Sequence, residues 1–227
     1  MNNGRRTTDD GQLTGGGVAA VLLAAGRSRR MGAFKPLLPF GAKTVVESCI
    51  DNLLGAGVRE IVVVVGHRAG ELLAHLARAP VRFALNEEAG SEMGASIARG
   101  VERLSDDATA VLVALADHPA VAPDAIRILI ERHRETGAPF VVPVWRGRGG
   151  HPVLVDLAYR AELSRLDGGR GLRGLLEAHA GRVLRVGVEC PYVARDMDTW
   201  EDYRALHAEV FGVPPPIESP DPRGGSN

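Results

Sequence analysis

The segment Ile61-Val-Val-Val-Val65 most narrows the folds open to this 227-residue chain. Five β-branched residues in succession leave no polar position to face water. Such a run suits a strand buried on both faces, as in parallel sheets covered by helices on either side. Val18–Leu23, Val81–Leu85, Thr109–Leu115, Phe140–Val144, Pro152–Val155 and Val183–Val188 read as further strands, with a loop from Trp145 to Gly150 between two of them. Helical periodicity lies between: Thr44–Leu54 stopping at Gly55, Ala69–Ala79 stopping before Pro80, a segment capped by Ser91 and running to Leu104, Ala122–Thr136, two short helices, and a last one after Asp198. This alternation predicts an α/β fold with a mostly parallel sheet and helices on both faces.

One domain over 18–211 accounts for the pattern, with no internal linker or repeat. The polar, glycine-rich stretch 1–17 has no apolar core of the signal-peptide kind, and 212–227 begins with the run Pro214-Pro215-Pro216. Both read as disordered extensions. A net charge of −1 argues against a nucleic-acid or membrane-surface protein, so the arginines at 27, 29 and 30 form a local feature. No apolar run approaches the roughly 20 residues of a membrane span. Cys49 and Cys190 make neither a disulfide framework nor a metal spacing, and Cys49 falls in an apolar helical pattern. A cytoplasmic protein is expected.

The loop after the first strand carries the chemistry. Leu23-Ala24-Ala25-Gly26 leads through Arg30-Met31-Gly32 to Lys35-Pro36, at the carboxyl end of a buried strand, where open α/β sheets bind ligands. Backbone amides, a guanidinium and an ammonium suit a polyphosphate. Lys35 and Lys43 are the only lysines in an arginine-rich chain, so the compact ammonium at the end of this loop stands out. The common phosphate loops do not fit. Gly26 and Gly32 are six apart, with Ala33 where a Walker lysine would stand, and Ser28 breaks the dinucleotide fingerprint.

The remaining pattern resembles the signature of the MobA-like nucleotidyltransferases, which include the molybdenum cofactor nucleotidyltransferases. The resemblance implies a Rossmann-like three-layer sandwich of the nucleotide-diphospho-sugar transferase type. It places Leu23, Ala24, Ala25 and Gly26 around the nucleotide, with Arg30 and Lys35 on the triphosphate as the catalytic pair. Asn86, Gly90 and Ser96 look like the base-recognising segment, and Leu115-Ala-Asp-His-Pro119 like the metal-binding aspartate turn, where Gln is more usual than His118. Gly150-His-Pro-Val-Leu154 and Asp196-Met-Asp-Thr-Trp-Glu-Asp-Tyr203 match stretches near the family's C-terminus, so the likeness runs over 18–210 in five ordered segments. Ala25 and Ala116 resemble the CTP-using branch more than the GTP-using one. The resemblance thus implies Mg²⁺-dependent transfer of CMP from CTP to molybdopterin cofactor, with pyrophosphate released. Transfer from GTP, transfer to another small phosphate, and a non-catalytic accessory protein for a molybdoenzyme are the rival readings. Gly169 departs from the family pattern, which often has an aspartate there.

Asp117, Asp196 and Asp198 are the candidate Mg²⁺ ligands, since that ion takes one or two carboxylates beside phosphate oxygens and water. His151 and Arg173 are candidates for the acceptor side, and His118 for a supporting role near the metal. Each has a plainer alternative. Asp117 could be a turn former before Pro119, and Asp198 could cap the last helix. Ser96 could be an ordinary mid-helix serine, Asn86 a turn residue and His151 structural. Trp145 and Trp200 read as packing residues.

Overall fold

A computed structural model describes residues 17–27, 30–87, 93–166 and 169–217. The expected N-terminal extension up to residue 16, Arg29, Gly90 and the expected cap Ser91 lie outside the described residues, as does the tail beyond 217.

The chain runs β1 (Val18–Leu23), β2 (Pro39–Phe40), β3 (Lys43–Thr44), α1 (Val45–Gly55), β4 (Ile61–Val65), α2 (Ala69–His75), β5 (Arg82–Leu85), α3 (Met93–Val101) and β6 (Ala110–Leu115). It continues with α4 (Pro123–Thr136), β7 (Phe140–Trp145), β8 (Arg148–Gly149), β9 (Val153–Asp156), α5 (Arg160–Leu163), α6 (Gly171–Ala178), β10 (Val183–Gly187) and α7 (Trp200–Phe211). The main sheet has the order β10-β7-β9-β6-β1-β4-β5, with β8 paired to β7. Every neighbouring pair along that path is parallel except those made by β9, which is antiparallel to both β6 and β7. The α/β architecture with a mostly parallel sheet is therefore as expected. Each residue of Ile61–Val65 is buried, because helices cover both faces. One core packs α1, α2 and α4 on one face, and the other packs α3, α5 and α6 on the opposite face. Fully burying each such side chain contributes about 1.5–3 kcal/mol.

Strand order reverses at β1: the chain moves out through β4 and β5, then returns to place β6 on the other side of β1. The carboxyl ends of β1 and β6 thus open a crevice of the kind where such sheets bind ligands. The Ala116 amide donates to the Leu23 carbonyl at 3.1 Å, so the two loops leave the sheet side by side. Gly100 seats α3 against this point; a Cβ there would lie 2.4 Å from Val21 Cγ1.

Three local readings differ from expectation. The expected loop from Trp145 to Gly150 is a tight hairpin: Arg146 and Gly147 take φ of 46° and 81°, and Arg148–Gly149 pairs back on β7. A two-residue turn with both central φ positive matches the twist of a hairpin. The α2 helix ends at His75 rather than Ala79, and its last residues form turns. Of the expected tail, residues 212–217 fold back: Gly212 closes α7 at φ 74°, His207 Nδ1 donates to the Val213 carbonyl at 2.8 Å, and Ile217 packs on a small core. Among the described residues no helix is long and apolar enough to cross a membrane.

A third cluster joins the two ends of the chain. Met31, Leu38 and Phe40, from the segment after β1, pack against Met197, Trp200 and Tyr203. Helix α7 starts from a capping box in which Thr199 accepts from the Asp202 amide at 3.1 Å and Asp202 accepts from the Thr199 amide at 2.8 Å. Asp198 is therefore not the cap. The Thr199 hydroxyl and backbone hold the Asp202 carboxyl below the usual carboxylate range. Thr199→Ala is expected to cost about 1 kcal/mol. Because Asp202 titrates lower folded than unfolded, its contribution is present above the ordinary aspartate range and fades as pH falls through its folded value. Asp202→Asn should therefore lose more stability at pH 7 than at pH 3 in urea titrations.

Candidate functional site

Lys35 opens a short helical turn at the end of the loop after β1 and is 8% exposed. Its Nζ lies 2.7 Å from Asp198 Oδ1 and 3.4 Å from Asp117 Oδ2. Asp117 follows β6, whereas Asp198 arrives from the far end of the chain just before α7. Arg30 Nη1 reaches the second oxygen of Asp198 at 2.8 Å, with its side chain largely in solvent. One ammonium therefore gathers two carboxylates, and an exposed guanidinium closes the outer side. Trp200 Nε1 donates to the Met31 carbonyl at 2.8 Å and the Tyr203 hydroxyl donates to the Pro39 carbonyl at 2.6 Å, which tie α7 to this loop.

Asp196 is not in that group. Its Oδ1 is 3.0 Å from His118 Nε2, while His118 Nδ1 lies 3.2 Å from the Tyr192 carbonyl. Both ring nitrogens of the buried His118 therefore face oxygen atoms, which fixes the plane of the ring. The hydrogen bond from His118 holds the Asp196 carboxyl below its usual range, against the burial that would raise it. His118 Nε2 is also 3.9 Å from Asp117 Oδ1.

His151 packs edge-on to His118 with ring centroids 5.9 Å apart. Its Nδ1 donates to the Val113 carbonyl at 3.3 Å, and burial, then the charge of His118, push its pKa down. It is thereby a neutral ring with Nε2 left as an acceptor. Gly150 before it has no room for a side chain, since a Cβ would lie 1.9 Å from the Val193 carbonyl oxygen.

On the other side of the crevice, Asn86 and Ser96 are both buried, and Asn86 Nδ2 donates to Ser96 Oγ at 2.8 Å. Ala25 and Asn86 converge at Gly66, where a Cβ would sit 3.0 Å from Ala25 Cβ and 2.9 Å from the Asn86 carbonyl oxygen. Leu23 and Ala24 hold the loop to the sheet, the Ala24 amide donating to Val64 at 2.9 Å, and Gly26 stands exposed beyond them with open space above it. Arg173, on α6, pairs with Glu177 at 2.9 Å and lines a cleft of about 780 Å³ that His151 also lines.

The structure thus brings Arg30, Lys35, Asp117 and Asp198 together, pairs Asn86 with Ser96, and sets His151 and Arg173 on one cleft. Among the described residues no group of three or more His, Cys, Asp or Glu has metal-binding geometry. The pair Asp117 and Asp198 still suits a hard divalent cation, because two partly exposed carboxylates already converge on one positive charge and one or two carboxylates are what Mg²⁺ takes. Sequence reasoning missed Tyr203 and Met31, whose roles depend on contacts between distant segments. It also missed Arg185, which lines the same cleft and was marked only by a charge inside the apolar strand Val183–Gly187.

A family model described as a MobA-like NTP transferase domain matches residues 20–183. Nicotine blue oxidoreductase of Paenarthrobacter nicotinovorans is 31% identical over 202 residues, spanning 83% of this chain and 96% of that protein. Rv0371c of Mycobacterium tuberculosis H37Rv is 33% identical, with a TM-score of 0.73 over 85% of this chain and 98% of its own, and has also been crystallised with manganese. A nucleotidyl transferase from Methanothermobacter superposes with a TM-score of 0.74 at 28% identity, covering 86% of this chain and 98% of its own.

Trp200→Phe keeps the ring packing but removes the donor to Met31. It is expected to cost about 1 kcal/mol and lower the melting temperature by roughly 2–4 °C, read by a thermal melt.

Proposed function

The chain belongs to the MobA-like NTP transferase family, and on that premise we propose that it transfers a nucleotidyl group from a nucleoside triphosphate to a phosphate acceptor. The single observation that carries this reading is Lys35 held between Asp117 and Asp198 at the mouth of the β1–β6 crevice, with Arg30 outside. In the reaction an acceptor phosphate oxygen forms a bond to the α-phosphorus, and the bond from that phosphorus to the bridging oxygen breaks. Pyrophosphate leaves with the electron pair. Little covalent chemistry falls to the protein, so charge neutralisation and alignment supply the rate.

Lys35 and Arg30 neutralise charge growing on the leaving pyrophosphate. Asp117 and Asp198 would hold Mg²⁺, which when bound offsets charge on the triphosphate. Manganese in a complex of Rv0371c supports a divalent cation in a related protein. Leu23, Ala24, Ala25 and Gly26 wrap the nucleotide, and the buried Asn86–Ser96 pair reads the base with Gly90. CTP is the proposed donor, because Ala25 and Ala116 resemble the CTP-using branch of the family more than the GTP-using one. Molybdopterin cofactor is the proposed acceptor, with His151 and Arg173 beside it, and the product would pass to a molybdoenzyme. Asp196 acts on this reading through His118, fixing that ring beside Asp117.

The likeness to nicotine blue oxidoreductase favours a second reading, an oxidation–reduction reaction in the same crevice. The two differ in products. Nucleotidyl transfer releases pyrophosphate from a nucleoside triphosphate, whereas an oxidation–reduction releases none. Pyrophosphate release with CTP, Mg²⁺ and acceptor should exceed that with GTP; the reverse order overturns the choice of nucleotide, and no release with either overturns the reaction.

Lys35→Ala should lower kcat at least about 100-fold, on the order of 3 kcal/mol of transition-state stabilisation. Arg30→Ala, at an exposed position, should fall less. Steady-state pyrophosphate assays on both variants check the order.

A further inference from the structure

The cleft of about 780 Å³ lies over the sheet face at β7, β9 and β10, under α6 and beside the β7–β8 hairpin. It is the right size for a small molecule. His151 joins it to the Asp117 side of the crevice, and Met93 and Gly94 join it to the helix that carries Ser96.

The charge of this cleft is uneven. Arg170, Arg173 and Arg185 line it against one carboxylate, Glu177. Arg170 and Arg173 both pair with Glu177. Arg185 meets no carboxylate within ion-pair distance among the described residues.

The position of Arg185 is the telling part. Along β10, Leu184 and Val186 pack into the core on one face, while Val183 and Arg185 point to the other, toward α6. The short α6 leaves that face open. The guanidinium lies beside the β7–β8 hairpin, where a Cβ built on Gly149 would touch Arg185 Nη1 at 3.5 Å. Gly169 on the opposite lip adds no side chain, and a Cβ built on it would meet nothing within 4 Å. Arg185 is exposed on this edge strand, and it lines the same concave cleft that His151 and Arg173 line.

We infer that Arg185, with Arg173, makes the far end of the acceptor cleft an anion subsite, so that the acceptor is a phosphomonoester carrying a second acidic group distant from its phosphate. The inference rests on the nucleotidyl-transfer reading for which end of the acceptor reacts. The planar guanidinium takes a carboxylate or phosphate through two parallel hydrogen bonds, which an uncharged hydroxyl end does not match. Arg185 is a specificity residue on this account and takes no part in bond making.

The test uses matched probes of two lengths. 3-Phosphoglycerate is compared with glycerol 3-phosphate, and 6-phosphogluconate with sorbitol 6-phosphate, by calorimetric titration of the whole protein in the presence of Mg²⁺. At one length or the other, the probe with the carboxylate should bind wild type at least 10-fold tighter than its partner. Arg185→Gln should reduce that advantage to less than 2-fold while CTP binding stays as in wild type. Gly169→Asp, which the open space accommodates, should weaken the same probe through the added negative charge. Equal affinities within both pairs, no detectable binding of either carboxylate probe, or an advantage that survives Arg185→Gln would overturn the inference. A carboxylate advantage that persists in a protein releasing no pyrophosphate from any nucleoside triphosphate would instead remove the transfer reaction and leave the anion subsite standing.

Discussion

The Lys35 ammonium is the point through which three remote parts of the chain are joined. It sits at the end of the loop after β1, and its two carboxylates come from the end of β6 and from the segment before α7. An amine this buried is costly to leave unpaired, and so are carboxylates drawn toward it. Each group therefore makes the others' positions tolerable. The apolar cluster around Trp200 and Tyr203 supplies the burial that makes the pairing strong, and the pairing in turn orients the loop that the cluster grips. Arrangements of this kind are less a source of net stability than a way of specifying one geometry.

Charge is distributed by function along the crevice. At the β1–β6 mouth the charges balance, with Arg30 and Lys35 set against Asp117 and Asp198. His118 and Asp196 form a second, separate pair beside it, fixed by the Tyr192 carbonyl. Further along, the α6 cleft holds three arginines against one glutamate. Coulombic attraction between groups in a partly enclosed cleft exceeds that in bulk water, so these differences bias which molecules enter which end.

The expected strands match those of the structure within a residue or two, because runs such as Ile61–Val65 have one comfortable environment whatever surrounds them. Places where the reading fell short were set by contacts beyond the local sequence. The Arg146-Gly147 turn takes positive φ at an arginine, which no turn preference of Trp-Arg-Gly-Arg announces. Asp198 looked as suitable a helix cap as Thr199. Only the nearness of Lys35 and the Asp202 capping box decided which residue capped and which turned to the ammonium. Asp196, two residues earlier, was equivalent on paper and was claimed by His118 instead.

The sequence by itself determined the layered α/β architecture, the loop that ends in Lys35 and the membership of the chain in its family. These follow from residue types at short spacing: β-branched runs, glycine turns and a lone ammonium after a strand. Tertiary structure alone decided which carboxylates meet that ammonium, that His118 and Asp196 form a pair of their own, and that Arg185 faces an open cleft rather than a covering helix. Those outcomes depend on distances between segments as much as 163 residues apart. Such distances are fixed by how the sheet and its helices pack.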